Sequence, residues 1–143
     1  MKKILFIGGP GTISTQTVDR LIEKGFDISL LNRSGRVPER MKRHVTVFRG
    51  DRDDADFLEQ TVREAGPDCI IDVCCFLPNQ ARQAIEAAKG GVEQYIFIST
   101  VDIYGYPLTR LPMKVGAPKN EPISDYARQK LRCEELFLSA YEN

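Results

Sequence analysis

The sequence predicts an α/β protein, a doubly wound parallel sheet with strand order 3-2-1-4-5. Three observations carry that expectation. Short apolar runs alternate with stretches of helical periodicity along the whole 143-residue chain. The first of these runs, Ile4 to Ile7, is continuous rather than alternating, the pattern of a strand covered on both faces. A glycine cluster, Gly8-Gly9-Pro10-Gly11, sits directly after the first such run and opens a helical stretch. Crossovers between parallel strands are right-handed, which makes 3-2-1-4-5 the natural order.

Taken in sequence, Ile4 to Ile7 is the first strand, followed by Ile13, Val18, Leu21 and Ile22 at helical spacing, with Gly25 as the stop. Phe26 to Leu31 is the second strand, and polar Asn32-Arg33-Ser34-Gly35-Arg36 is a loop by composition. Val45 to Phe48 is the third strand. Asp54 begins a helix through Phe57, Leu58 and Val62 that ends near Gly66-Pro67. Cys69 to Cys75 is the fourth strand, and Pro78 suits the first position of the next helix, which runs to Gly90-Gly91. Tyr95 to Ile98 is the fifth strand. Residues 101–124 contain Pro107, Pro112, Pro118 and Pro122 with little periodicity and read as a long loop, of a length that is usually functional or mobile. A last helix starts at about Ser124 and carries Tyr126, Lys130, Leu131, Leu136 and Phe137.

Composition narrows the function classes. The chain is 42% hydrophobic, and its 20 Lys and Arg balance 20 Asp and Glu, so no net charge draws it to nucleic acid. No apolar run approaches the ~18 residues of a membrane span. The apolar stretch after Lys2-Lys3 has four residues, against the roughly 7–15 of a signal peptide. A cytoplasmic location is expected. Cys69, Cys74, Cys75 and Cys133 form no CxxC pair and His44 is the sole histidine, so no metal site is expected. The cysteines read as small buried hydrophobes.

Glycine in the first βα turn allows a tight bend and lets backbone N–H groups reach a pyrophosphate at the helix N-terminus. No Gly-Lys-Ser/Thr follows, so this is not a P-loop. The end of the second strand is where an acidic residue would accept hydrogen bonds from the adenosine ribose of NAD. Here Asn32 stands there, followed by Arg33 and with Arg36 close by. A neutral amide beside a guanidinium suits a 2′-phosphate, which favours NADP(H) over NAD(H). Asp51, after the third strand, offers a carboxylate to the adenine amino group, with a helix cap or turn as its alternative role.

Tyr126 and Lys130 lie four apart on one helix face. An ammonium beside a phenol favours the phenolate, so Tyr126 is a candidate general acid/base for hydride transfer at a carbinol or carbonyl. Lys130 can also hold the nicotinamide ribose, and the strand-end hydroxyl of Thr100 can orient a substrate oxygen.

With these residues in view, the chain resembles the extended short-chain dehydrogenase/reductase superfamily, in particular its NAD(P)-dependent epimerase/dehydratase branch. ILFIGGPGTIS is similar to that family's strand and glycine turn, GDRDD to its adenine-side motif, YIFISTVDIYG to its fifth strand and catalytic hydroxyl, and DYARQKLRCEELF to its Tyr-x-x-x-Lys helix. The resemblance implies a Rossmann domain with Thr100, Tyr126 and Lys130 as the catalytic set. The residues expected at the cofactor are Gly8, Gly11, Thr12, Ile13, Asn32, Arg33, Asp51, Arg52, Cys74, Ser99, Tyr126 and Lys130. It further implies reduction, epimerisation or dehydration of a small-molecule substrate such as a nucleotide sugar.

Two local departures stand out: Ser14 occupies the place of a third turn glycine, which could hold the helix slightly further from the sheet, and Pro10 removes one N–H. Members of the resembled family continue through further strands and a C-terminal substrate domain, so residues 1–143 are expected to form an incomplete nucleotide-binding domain. An uncovered apolar sheet edge would favour self-association, such as a homodimer. The rival reading is a non-catalytic dinucleotide sensor or an RNA-associated protein on the same fold.

Overall fold

The computed structural model describes residues 2–108 and 110–142. Strands β1 (Lys3–Ile7), β2 (Asp27–Asn32), β3 (Val45–Arg49), β4 (Cys69–Asp72) and β5 (Gln94–Phe97) pair in parallel in the order β3-β2-β1-β4-β5. The helices are α1 (Ser14–Glu23), α2 (Ala55–Ala65), α3 (Pro78–Ala88) and α4 (Asp125–Glu142). This is the doubly wound order that the sequence predicts.

The pleat of β1 explains why its run is continuous. Ile4 and Phe6 enter one core with Val18 of α1, Ile28 and Leu30. Leu5 and Ile7 enter the opposite core with Leu58 and Val62 of α2, Ile70, and Ala84 of α3. Neither face of the strand meets water, so alternation would be penalised on both sides. Each large aliphatic side chain removed from water in this way is worth about 1.5–3 kcal/mol. α4 closes the β5 side through Phe137, whose ring stacks on Tyr95 at 4.7 Å and lies 5.0 Å from Phe97.

Helix ends follow the local chemistry. Asp54 caps α2, its carboxylate accepting the Phe57 N–H at 3.0 Å, and Gly66 ends it in the left-handed region. Pro78 is the first residue of α3, where a missing N–H costs nothing. Ser124 caps α4 by accepting the Ala127 N–H at 3.1 Å.

Two expectations are revised and one burial is new. β4 ends at Asp72, not Cys75, because the Asp72 carboxylate takes the Cys74 N–H at 3.1 Å and turns the chain out of the ladder. The segment expected to be a plain loop begins with a 3₁₀ turn, Val101–Tyr104, capped by the Thr100 hydroxyl. A second 3₁₀ turn, Glu39–Met41, buries Met41 completely in the α1-side core, a placement its polar neighbours hide in the sequence. Among the described residues no helix is long and apolar enough to cross a membrane.

The Asp54 cap gives the first test. Asp54→Ala should lower stability by about 1 kcal/mol in urea denaturation, the usual value of such a cap, without changing the slope.

Candidate functional site

Parallel strands all end at one edge of the sheet, and the loops there build the site. After β1 the chain passes through Gly8 and Gly9, with φ of 86° and 102°. A Cβ at Gly8 would lie 2.7 Å from the Cys74 sulfur, so both the backbone region and the space require glycine. Gly11 faces open space. Ser14, in the place of a third glycine, is buried, and its hydroxyl accepts the Gly11 N–H at 2.9 Å. The turn is thus braced by a side chain. Helix α1 begins at Ser14, directly after this turn, and the Thr15 N–H donates back to the Gly11 carbonyl at 3.0 Å.

A cavity of about 210 Å³ opens beside this turn, lined by Gly8, Asn32, Arg33, Gly50, Arg52, Cys74, Phe76 and Gln80 among others. Asn32 laces it together. Its amide donates to the Gly9 carbonyl at 2.9 Å, and its oxygen accepts the Gly35 N–H at 2.6 Å. Arg33 and Asp51, both exposed, face each other at 3.4 Å across the rim. A larger hollow of about 560 Å³ lies at the other end of the strands, between Gly66-Pro67 and Gly90-Gly91, and holds none of the candidate residues.

Three expected cofactor contacts have other partners. Arg52 is buried and its guanidinium pairs with Asp72 at 2.9 Å. Cys74 donates its thiol to the Ile7 carbonyl at 3.4 Å, and burial together with the Asp72 charge pushes its pKa up to about 11. The Ser99 hydroxyl donates to Glu134 of α4 at 2.9 Å, and Lys119 pairs with the other oxygen of that carboxylate at 2.6 Å.

The catalytic candidates gather over the end of β5. Lys130 is only 2% exposed, and its ammonium donates to the carbonyls of Cys75 at 2.8 Å and Ile98 at 2.5 Å. It also lies 4.0 Å from the centre of the Phe97 ring. Burial lowers the Lys130 pKa from its ordinary value. Tyr126 stands one turn earlier, 46% exposed, with its ring 6.4 Å from that of Phe76. Thr100 is half-buried at the end of the β5 segment, and its hydroxyl accepts the Asp102 N–H at 3.4 Å. Gly105 closes the same segment: its φ is 65°, and a Cβ there would come 2.6 Å from the Asn120 carbonyl. Asn120 returns the contact by donating its N–H to Tyr104 at 2.8 Å.

Sequence reasoning missed Asp72, Gln80, Tyr95 and Glu134. The one available signal was Asp72 itself, an ionisable residue ending an apolar run, which demands a buried partner.

A glycine turn after β1 and a Tyr-x-x-x-Lys helix packed over β5 define a short-chain dehydrogenase/reductase type of Rossmann domain. The sequence profile of the NAD dependent epimerase/dehydratase family matches residues 4–143, and the chain belongs to that family. It is 29% identical over 154 residues to a UDP-glucose 4-epimerase of Streptococcus mutans, covering 94% of this chain and 46% of that protein. The UDP-glucose 4-epimerase of Bifidobacterium longum, solved with NAD+ and UDP, superposes with a TM-score of 0.83 at 21% identity, covering 97% of this chain and 49% of the other. The dTDP-glucose 4,6-dehydratase of Bacillus anthracis, solved with NAD, gives 0.86 at 17% identity, covering 99% and 51%. The chain spans about half the length of the curated relatives it matches.

Lys130 supplies a pH test with a definite sign. Its folded pKa lies below the unfolded value, so between the two the unfolded state holds more protons and stability rises with pH. The stability difference between the wild type and Lys130→Met, from urea melts, should therefore shift toward the wild type as pH climbs from ~7 to ~10. A flat or falling difference would contradict the burial of a charged amine.

Proposed function

We propose that this chain is the cofactor-binding part of a dinucleotide-dependent enzyme that moves a hydride to and from a hydroxyl or carbonyl carbon of a nucleotide-sugar-like substrate. The single observation that supports this best is the convergence, at one sheet edge, of the glycine turn with Thr100, Tyr126 and the buried Lys130. The residues fit a dinucleotide: Gly8 and Gly9 bring backbone close, Gly11 leaves the approach open, and α1 turns its N-terminus toward it. Gly8 through Ile13 would hold the pyrophosphate, and Asn32, Arg33 and Asp51 the adenosine end. When bound, the nicotinamide supplies a reversible hydride acceptor.

Each residue then has a task. The hydroxyl of Tyr126, a 46% exposed side chain, exchanges the proton of the reacting oxygen. Thr100 orients that oxygen through its own hydroxyl. Lys130, fixed by two carbonyls, holds its ammonium in place beneath the site. The name borne by similar proteins, UDP-glucose 4-epimerase, agrees with a nucleotide sugar as the substrate class.

For the cofactor, NADP(H) is preferred over NAD(H). No carboxylate stands at position 32, and Arg33 is exposed on the cavity rim, where its guanidinium can leave Asp51 for a 2′-phosphate.

Fluorescence titration should give tighter binding of NADPH than of NADH, by about tenfold for a contact worth ~1.4 kcal/mol. Arg33→Gln should erase that difference. Equal affinities in the wild type would remove the preference for NADP(H), and no binding of either would end the proposal. Tyr126→Phe should keep cofactor affinity and abolish nicotinamide absorbance changes with sugar substrates, and retained turnover would exclude its acid/base role.

A further inference from the structure

Asp72 is fully buried at the end of an otherwise apolar strand, and none of the roles above uses it. Its carboxylate accepts from Arg52 Nη1 at 2.9 and 3.2 Å, from the Tyr95 hydroxyl at 2.8 Å and from the Cys74 N–H at 3.1 Å. Arg52 Nη2 donates to the Gln80 carbonyl at 3.0 Å. The Gln80 side chain takes the N–H groups of Phe76 and Leu77 at 2.7 and 3.0 Å and donates to Asp53 at 2.6 Å.

Three neutral or charged side chains thus fasten the turn after β3 to the loop between β4 and α3. That turn carries Asp51 at the rim of the adenosine end. The loop carries the Cys75 carbonyl, which accepts from Lys130, and the Phe76 ring, 5.6 Å from the Lys130 ammonium and 6.4 Å from the Tyr126 ring. A chain of direct contacts therefore runs from one end of the expected dinucleotide site to the other.

Stability alone is a poor reason for this cluster. A buried ion pair generally contributes no more than an apolar pair of the same size, and its best-attested use is to fix one geometry. Arg52 also leaves its buried Nε without a hydrogen-bond partner among the described residues, a desolvation cost that counts against stability.

We propose that Arg52, Asp72 and Gln80 are positioning residues: by locking the β4–α3 loop to the β3–α2 turn, they set the placement of Lys130 and Tyr126 and make it respond to occupancy of the adenosine end. This rests on the dinucleotide reading above. Filling the adenosine end orders the Asp51–Asp53 turn, Gln80 carries that order to Phe76 and Leu77, and the loop presents its carbonyl to Lys130.

The test uses ADP, which fills the adenosine end and the glycine turn but leaves the nicotinamide end empty, and NADPH, with the full chain and two variants. Arg52→Met/Asp72→Asn removes both charges together, and Gln80→Met removes only neutral hydrogen bonds, so it decides the matter where the first variant fails to fold. In the wild type, ADP should shift the amide resonances of Phe76 and Tyr126. In the folded variants the Tyr126 shift with ADP should disappear, and NADPH affinity should fall about tenfold more than ADP affinity. A merely structural role would lower melting temperature and leave that split unchanged. Wild-type affinity for NADPH in a folded variant, or no Tyr126 shift with ADP in the wild type, overturns the proposal. If the wild type binds neither ADP nor NADPH, the dinucleotide reading fails first and this proposal with it.

Discussion

The structure depends on one constraint: a parallel sheet has to be covered on both faces. Its strands cannot be joined by hairpins, so each connection crosses over and lays a helix on one side or the other. Ile4 and Phe6 meet α1 while Leu5 and Ile7 meet α2 and α3, so β1 can hold no polar residue without loss on one side. The same geometry brings every strand end, and with it every functional loop, to a single edge. Burial of the core and assembly of the site are therefore one event.

At that edge the chain spends polar groups sparingly and couples them. Asn32 binds the glycine turn to the loop after β2. Lys130 uses its ammonium to join the ends of β4 and β5, through Cys75 and Ile98. Glu134, one turn further along α4, ties Ser99 to Lys119 and so anchors the long segment that follows β5. Each of these side chains crosses between elements that the sequence separates by 15 or more residues. Helix α4 is consequently held to the sheet by ion–carbonyl contacts as well as by Phe137.

Much of this was legible in advance, and the reasons are specific. Continuous apolar runs, a helix-opening glycine turn, Asp54, Pro78 and Ser124 are local signals, and the fold order and helix starts follow from them. Tyr126 and Lys130 were legible because their spacing is a helical turn. The contacts of Arg52, Cys74 and Ser99 were not, because a side chain's partner depends on what the fold brings near it. Arg52 finds Asp72, 20 residues away, and Ser99 finds Glu134, 35 away. Met41 was hidden for the same reason: its flanking charges suggest solvent, while its own side chain fills the core under β2 and α1.

The central claim is that the C-terminal edge of this sheet cradles a nicotinamide dinucleotide. A crystal structure of the chain grown with NADPH tests it most directly. The expected result is the pyrophosphate against Gly8 to Ile13, the adenosine end between Asn32-Arg33 and Asp51, and the nicotinamide toward Tyr126 and Lys130. Dinucleotide density at the opposite end of the strands, in the hollow between Gly66-Pro67 and Gly90-Gly91, or none at all at saturating NADPH, would contradict it.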